Sequence, residues 1–136
     1  MIPRENLIPW REIEKWMCVH CGYCCKEYDV PLSFEEEERL RIFGDVFVKG
    51  KLGVYLKKNE TCVFRKNGRC AIYEIRPKAC EKYPFFFREE GEREAEFEFQ
   101  GKRFFVYVDK NCGGIGKGEE VERVIEKILR RILLVV

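Results

Sequence analysis

Residues 18 to 25 read Cys-Val-His-Cys-Gly-Tyr-Cys-Cys, a C-x2-C-x2-C-C run, and four more cysteines follow at Cys62, Cys70, Cys80 and Cys112. Thiols two residues apart can converge on one small volume, the arrangement that a thiolate-bound metal ion or an iron-sulfur cluster requires. Cys18, Cys21 and Cys24 have the spacing with which three thiolates cap one face of a 4Fe-4S cluster while a fourth ligand arrives from elsewhere. The ferredoxin pattern continues C-x3-C-P, whereas here Cys25 follows Cys24 directly. Neighbouring side chains on an extended backbone point to opposite sides, so Cys25 can serve a second site. The eight thiols divide naturally into two groups of four. One division is Cys18, Cys21 and Cys24 with one distant partner, and Cys25 with three of Cys62, Cys70, Cys80 and Cys112. A cluster held by three thiolates would leave one iron open to water or substrate.

Zinc is the alternative, because C-x2-C knuckles and all-cysteine tetrahedral coordination are its habitual structural site. The treble spacing with an adjacent fourth cysteine is unusual for a zinc ribbon and favours iron. His20 lies inside the run, but with eight thiols at hand it reads as a neighbour of the site and not a ligand. Arg76 flanks a cysteine-bearing turn, where a guanidinium would offset the negative charge of a four-thiolate centre. The stretch 113–118 holds Gly116-Lys117 ahead of a helix, yet it lacks the spacing of a phosphate loop and is followed by Glu119-Glu120, which would repel phosphate. Its glycines instead allow backbone amides to approach the Cys112 sulfur. One histidine assembles no hydrolytic triad, and no catalytic residue is assigned.

Composition sets the frame for this chemistry. A chain of 136 residues suits one domain, 1–136, which buries roughly two thirds of its unfolded surface and has no need of disulfides to hold a small scaffold. No basic and apolar leader opens the chain and no apolar run is of membrane-spanning length, so the expected setting is cytoplasmic, where clustered thiols serve metals or redox chemistry. With 21 Glu against 3 Asp, and few Asn and Gln, the chain has the Glu-rich, amide-poor bias of thermophiles, in which intracellular disulfides also occur. The net charge of +2 is spread evenly, so neither nucleic acid nor a membrane is expected as a partner, and an unknown protein or redox partner remains.

The elements that must position the cysteines are partly legible. Pro9 with Trp10, Ile13, Trp16 and Met17 predicts a short amphipathic helix leading into the run. Ser33 and Glu36 form a capping-box signature for a helix that stops near Gly44. Val46, Val48, Val54, Tyr55 and Leu56 suggest short strands broken by Gly50 and Gly53. Asn67-Gly68 predicts a tight hairpin that would bring Cys62 and Cys70 together across its strands. Arg76 should be extended before Pro77, which opens a short helix carrying Cys80. Phe97, Phe99, Phe105 and Tyr107 alternate with other residues, as in a second hairpin with one buried face. Val121, Val124, Ile125, Ile128, Leu129, Ile132 and Leu133 form a helical stripe that covers the core, and the tail Leu133 to Val136 either docks there or meets a partner. The fold class expected is α+β: a small single domain of short antiparallel hairpins, a few helices and cysteine-rich metal-binding loops.

The motif residues also carry a resemblance. Cys18, Cys21, Cys24 and Cys25, with Cys70-Ala-Ile-Tyr-Glu-Ile-Arg-Pro-Lys-Ala-Cys80-Glu-Lys-Tyr-Pro84, resemble the CxxCxxCC cysteine-cluster family, called YkgJ-like and described as zinc- or iron-chelating. Cys62 falls where that family has another cysteine. Cys112 with Gly114 and Gly116 is similar to its C-P-G-x-G ending, with Gly113 in place of proline. The resemblance implies metal binding through all eight cysteines, with Tyr73, Arg76 and Tyr83 in structural roles around the site. A larger relative, the flagellin lysine methylase, carries a similar motif and is associated with an iron-sulfur cluster and S-adenosylmethionine. Because this chain is essentially the cysteine module alone, the methylase activity does not carry over with it. The expected function is to hold a 4Fe-4S cluster or iron for redox chemistry or as part of a modifying enzyme, and the alternatives are a zinc-stapled interaction module or a metal chelation and delivery protein.

Overall fold

Short elements dominate because turn-forming residues interrupt the chain every few positions. The computed structural model describes residues 4–133, the side chain of Leu133 excepted. It is a mixed α+β structure of small antiparallel sheets and a few helices. The tail beyond residue 133 lies outside the described residues. No helix among them is long and apolar enough to cross a membrane. The chain divides into two compact units, Gly22–Glu81 and a second built from residues 4–21 together with 82–133.

The Gly22–Glu81 unit opens with helix α1 (Tyr23–Glu27), which carries Cys24 and Cys25 and is preceded by Gly22 at φ 82°. Helix α2 (Phe34–Leu40) begins at the expected capping box. The Ser33 hydroxyl accepts from the Glu36 amide at 3.2 Å and the Glu36 carboxylate accepts from the Ser33 amide at 2.9 Å. A 3-10 turn, Arg41–Phe43, then ends at Gly44 with φ 87°. The expected short strands are Phe47–Gly50 and Gly53–Leu56, which pair as a hairpin with Gly50 and Gly53 as their end residues, and Pro31–Leu32 extends them into a three-stranded antiparallel sheet.

Asn67 at φ 51° and Gly68 at φ 75° make the turn anticipated from the sequence, since two consecutive positive φ angles match the twist of a two-residue hairpin. The pairing differs from the expectation. Cys70 lies opposite Arg65, while Cys62 pairs with Lys58 in a separate hairpin. A two-residue turn centred on 67 and 68 pairs 66 with 69 and 65 with 70, and that register would place position 62 opposite 73, never opposite 70. Arg76 is extended with ψ 153°, and Pro77 accepts from the amides of Cys80 and Glu81 at the start of helix α3 (Lys78–Lys82). Val30, Leu40, Val46, Leu56, Cys62, Phe64 and Ile72 form the apolar centre of this unit, with Cys25, Cys70 and Cys80 packed on it.

Glu36 joins two of these elements. Its second carboxylate oxygen accepts from the Lys78 amide at 2.6 Å, so one buried side chain caps α2 and also receives an amide at the start of the helix that carries Cys80. Ser33→Ala should cost about 1 kcal/mol, the usual value of an N-cap. Glu36→Ala should cost about 2–3 kcal/mol, because it leaves two amides without their acceptor. Urea unfolding of the two variants measures the difference, and equal losses would refute the double role.

In the second unit the long strand Lys102–Asp109 is paired antiparallel with Leu7–Pro9, Phe85–Arg88 and Glu96–Phe99. The two-residue turn Gln100-Gly101 pairs Phe97 with Phe104, which puts odd-numbered residues of one strand on the same face as even-numbered residues of the other. The buried face therefore joins Phe97 and Phe99 to Val106 and Val108. Phe105 and Tyr107, expected on that face, lie on the opposite one. Helix α4 (Val121–Leu133) packs Val121, Val124, Ile125 and Leu129 into the same cluster, as its periodicity predicts.

The helix expected after Pro9 does not form. Trp10–Glu12 is a single 3-10 turn, Ile13 is extended, and Lys15–Trp16 pairs with Glu119–Glu120. Backbone bonds from Val121 to Glu14, Gly116 to Lys15 and Met17 to Gly114 take the groups that a helical ladder would have used. Trp10 and Ile13 still reach the core, from a turn and an extended residue.

Candidate metal centre

Five of the cysteines belong to the Gly22–Glu81 unit. Cys24 and Cys25 sit on α1, Cys62 ends the strand Thr61–Cys62, Cys70 ends the strand Arg65–Lys66 faces, and Cys80 lies in the middle of α3. None of the eight cysteines forms a disulfide. Cys25, Cys62, Cys70 and Cys80 meet at the apolar centre of this unit, close enough for a charge on one sulfur to act on the others. Burial, followed by that mutual repulsion, pushes the Cys80 thiol far upward, and burial likewise raises Cys62 and Cys70.

Cys25 behaves oppositely. The Cys24 thiol hydrogen-bonds to it and the Arg65 guanidinium adds a second bond and its positive charge, so that the Cys25 thiol is lowered from 9.0 to about 6 despite partial burial. Arg65 also favours the ionised form of Cys70, and Arg76 does so for Cys70 and Cys80. Arg76 is held by stacking on the Tyr73 ring at 4.0 Å and by donating to the Tyr73 carbonyl at 3.2 Å. Arg76 therefore lies where its charge acts on Cys70 and Cys80. Arg65 was not anticipated, since only the hairpin register that sets it opposite Cys70 reveals its place.

Gly22 makes room for that arginine. A Cβ on Gly22 would lie 2.5 Å from the Arg65 Cζ, at a φ that disfavours side chains. Gly22→Ala should displace the guanidinium and return the Cys25 thiol towards its ordinary range. Alkylation of Cys25 in the metal-free protein, followed by mass spectrometry across pH, should show its midpoint rise from about 6, and an unmoved midpoint would refute the assignment.

The second unit holds Cys18, Cys21 and Cys112. Cys112 feels the charges of Cys21 and Cys18, and burial raises its thiol above the usual range. Two N–H groups oppose that rise, the Trp16 indole at 3.2 Å and the Gly114 amide, so the glycine-rich loop does bring a backbone donor to this sulfur. A Cβ on Gly114 would fall 1.9 Å from the Met17 carbonyl oxygen, which only glycine avoids. Trp16, read from the sequence as a core residue, has this additional contact because its strand pairs beside the loop.

The distant cysteines thus divide three to one, with Cys62, Cys70 and Cys80 on the side of Cys25 and Cys112 on the side of Cys18 and Cys21. Cys24 bonds to Cys25. His20 is half-buried at φ 56°. Among the described residues, no three or more histidine, cysteine, aspartate or glutamate side chains are already closed into an arrangement that would hold a metal ion. The thiols sense one another's charge without being drawn around a centre. The donor chemistry nonetheless fits a cation, since neighbouring thiols, one buried and three partly so, that repel one another as thiolates are what bound metal would stabilise, and the two guanidiniums would offset the remaining charge. Thr61, next to Cys62 in the chain, also buries its hydroxyl without a hydrogen-bond partner.

A family model named for a CxxCxxCC motif and described as "putative zinc- or iron-chelating domain" matches residues 17–113. No protein of curated function and no solved structure matches the chain.

Proposed function

Since this chain belongs to the CxxCxxCC family of zinc- or iron-chelating domains, we propose that it holds iron, as a 4Fe-4S cluster or an ion, through Cys25, Cys62, Cys70 and Cys80, with Cys24 hydrogen-bonded to Cys25 beside them, and that Cys18, Cys21 and Cys112 supply ligands within the other unit. The observation that carries this reading is the gathering of these four cysteines on one apolar centre, where each lies close enough to the others for charge to be felt between them and where Arg65 and Arg76 stand beside them. Four thiolates around a divalent ion, or around a cluster of two positive charges, leave two negative charges in excess. Two guanidiniums offset them. The spacing of Cys18, Cys21 and Cys24 favours iron. When bound, iron would supply electron transfer or, at an open coordination position, a place for a substrate to bind.

A zinc site on the same four thiolates is the second reading, favoured by their placement on an apolar centre, where a closed tetrahedral ion acts as a staple. Protein purified without oxygen decides between them. Iron with broad visible absorption supports the first reading, colourless protein with stoichiometric zinc replaces it with the second, and protein that takes up neither metal overturns both.

Loading should depend on pH in a defined way. Cys25, lowered to about 6, is already ionised at neutral pH, whereas Cys62, Cys70 and Cys80 are raised and keep their protons until a metal displaces them. Zn2+ binding to this set at neutral pH should release about three protons, with a fourth appearing below pH of about 6, and affinity should fall as pH falls. In the metal-free protein the depressed Cys25 thiol adds stability that is complete above its unfolded value of 9.0 and is lost as pH falls through about 6. Calorimetry in buffers of different ionisation enthalpy counts the protons. Release of none would refute the thiol assignment.

A further inference from the structure

We propose that Tyr83 and Asp109 are positioning residues for Cys112, a buried clamp that sets the loop from which this sulfur meets a metal. The inference rests on the reading of Cys112 as a ligand. Asp109 ends the long strand Lys102–Asp109 and is completely buried. Both of its carboxyl oxygens are engaged. The Tyr83 hydroxyl donates to one at 2.6 Å, and the Asn111 amide donates to the other at 3.0 Å. The backbone of Asp109 is engaged as well, its amide donating to the Pro84 carbonyl at 2.9 Å and its carbonyl accepting from the Cys112 amide at 3.2 Å. One residue therefore fixes the turn 109–112 through its side chain and its main chain.

At the far side of the same turn, the Cys112 sulfur meets the Trp16 indole N–H at 3.2 Å and the Gly114 amide. The sulfur is thus held between two sets of contacts before any metal arrives. Packing alone would not call for this clamp, since a fully buried carboxyl group is costly unless its hydrogen bonds are complete and an apolar residue would fill the space at less cost. What the clamp adds is direction, because the Asn111 amide is held by the Asp109 side chain and the Cys112 amide by the Asp109 carbonyl, so two successive residues are fixed to one anchor. Groups that orient a ligand in this way commonly change metal affinity about tenfold to hundredfold when removed.

The test titrates Co2+ without oxygen and follows both thiolate-to-cobalt absorption and tryptophan emission, since Trp16 touches Cys112. Cys112→Ser is the reference. Tyr83→Phe removes one oxygen and keeps the ring, and Asp109→Asn keeps the shape but offers one acceptor where two are used. In Tyr83→Phe we expect the binding step that changes Trp16 emission to weaken about tenfold or more, with Asp109→Asn weakened in the same direction. The step assigned to Cys25, Cys62, Cys70 and Cys80 should keep its affinity. Should Tyr83→Phe fail to fold, Asp109→Asn carries the test. Loss in Cys112→Ser with parental affinity in the clamp variants overturns this inference alone. Parental affinity in Cys112→Ser overturns the ligand reading and the inference with it. A lowered melting temperature with unchanged affinity assigns the clamp to stability and overturns its positioning role.

Discussion

Replacing Cys80 with serine should remove the metal from the Gly22–Glu81 unit and unfold that unit under conditions in which the parent is folded. The unit has about sixty residues, a size at which an apolar core alone gives marginal stability. Its core is small and shares its interior with thiols. Structural zinc sites contribute on the order of 10–16 kcal/mol of apparent binding free energy in small domains, so loss of one ligand in four should cost several kcal/mol. Cys80 is the chosen position because it couples to all three partners and its thiol is pushed furthest up by burial. Serine offers a harder and more basic donor, which competes poorly for zinc or iron. Hydrogen exchange on loaded protein should show protection lost across residues 22–81 in Cys80→Ser and retained in Cys21→Ser, whose exposed thiol belongs to the other unit. Protection and metal content equal to the parent in Cys80→Ser would end the four-thiolate reading.

Phe85→Ala should produce the largest loss of stability among single substitutions in the second unit and should also disturb Cys112. Phe85 is 1% exposed and packs edge-on against Trp16 at 5.4 Å. Truncating a buried phenylalanine costs about 3–5 kcal/mol through lost contacts and the cavity left behind. The cavity would open beside the indole whose N–H reaches the Cys112 sulfur. Ile125→Ala is the control, because Ile125 is fully buried in the same cluster, should cost about 2–5 kcal/mol and sets no aromatic ring against the Trp16 indole. Denaturant unfolding measures both losses. The alkylation rate of Cys112 separates them, since it should rise in Phe85→Ala and stay parental in Ile125→Ala. Equal rates would show that the indole does not shield this sulfur.

Much of the local structure was legible because its causes lie within a few residues. Ser33 and Glu36 specify a capped helix, Asn67-Gly68 specify a turn with two positive φ angles, and the stripe from Val121 to Leu129 specifies one buried helical face. The misreadings have equally definite causes. Trp10, Ile13 and Trp16 match a helical period by accident of spacing, and backbone bonds to residues 114–121 draw that segment into extended structure. Phe105 and Tyr107 exchange faces with Phe104 and Val106 because the hairpin loop contains two residues, which alters the parity of the register.

The donor chemistry was determined by the sequence by itself: eight thiols, their spacing and the membership of a metal-chelating family follow from residue order. Which thiols share an environment was decided only by the tertiary structure. Cys62 and Cys70 come into each other's field from two different hairpins, and Arg65 comes to Cys25 over a glycine. The burial that holds three thiols protonated while Cys25 ionises arises from packing among segments tens of residues apart. Turn and helix preferences act over a few bonds, whereas the field at a sulfur depends on every group folded around it, however distant along the chain.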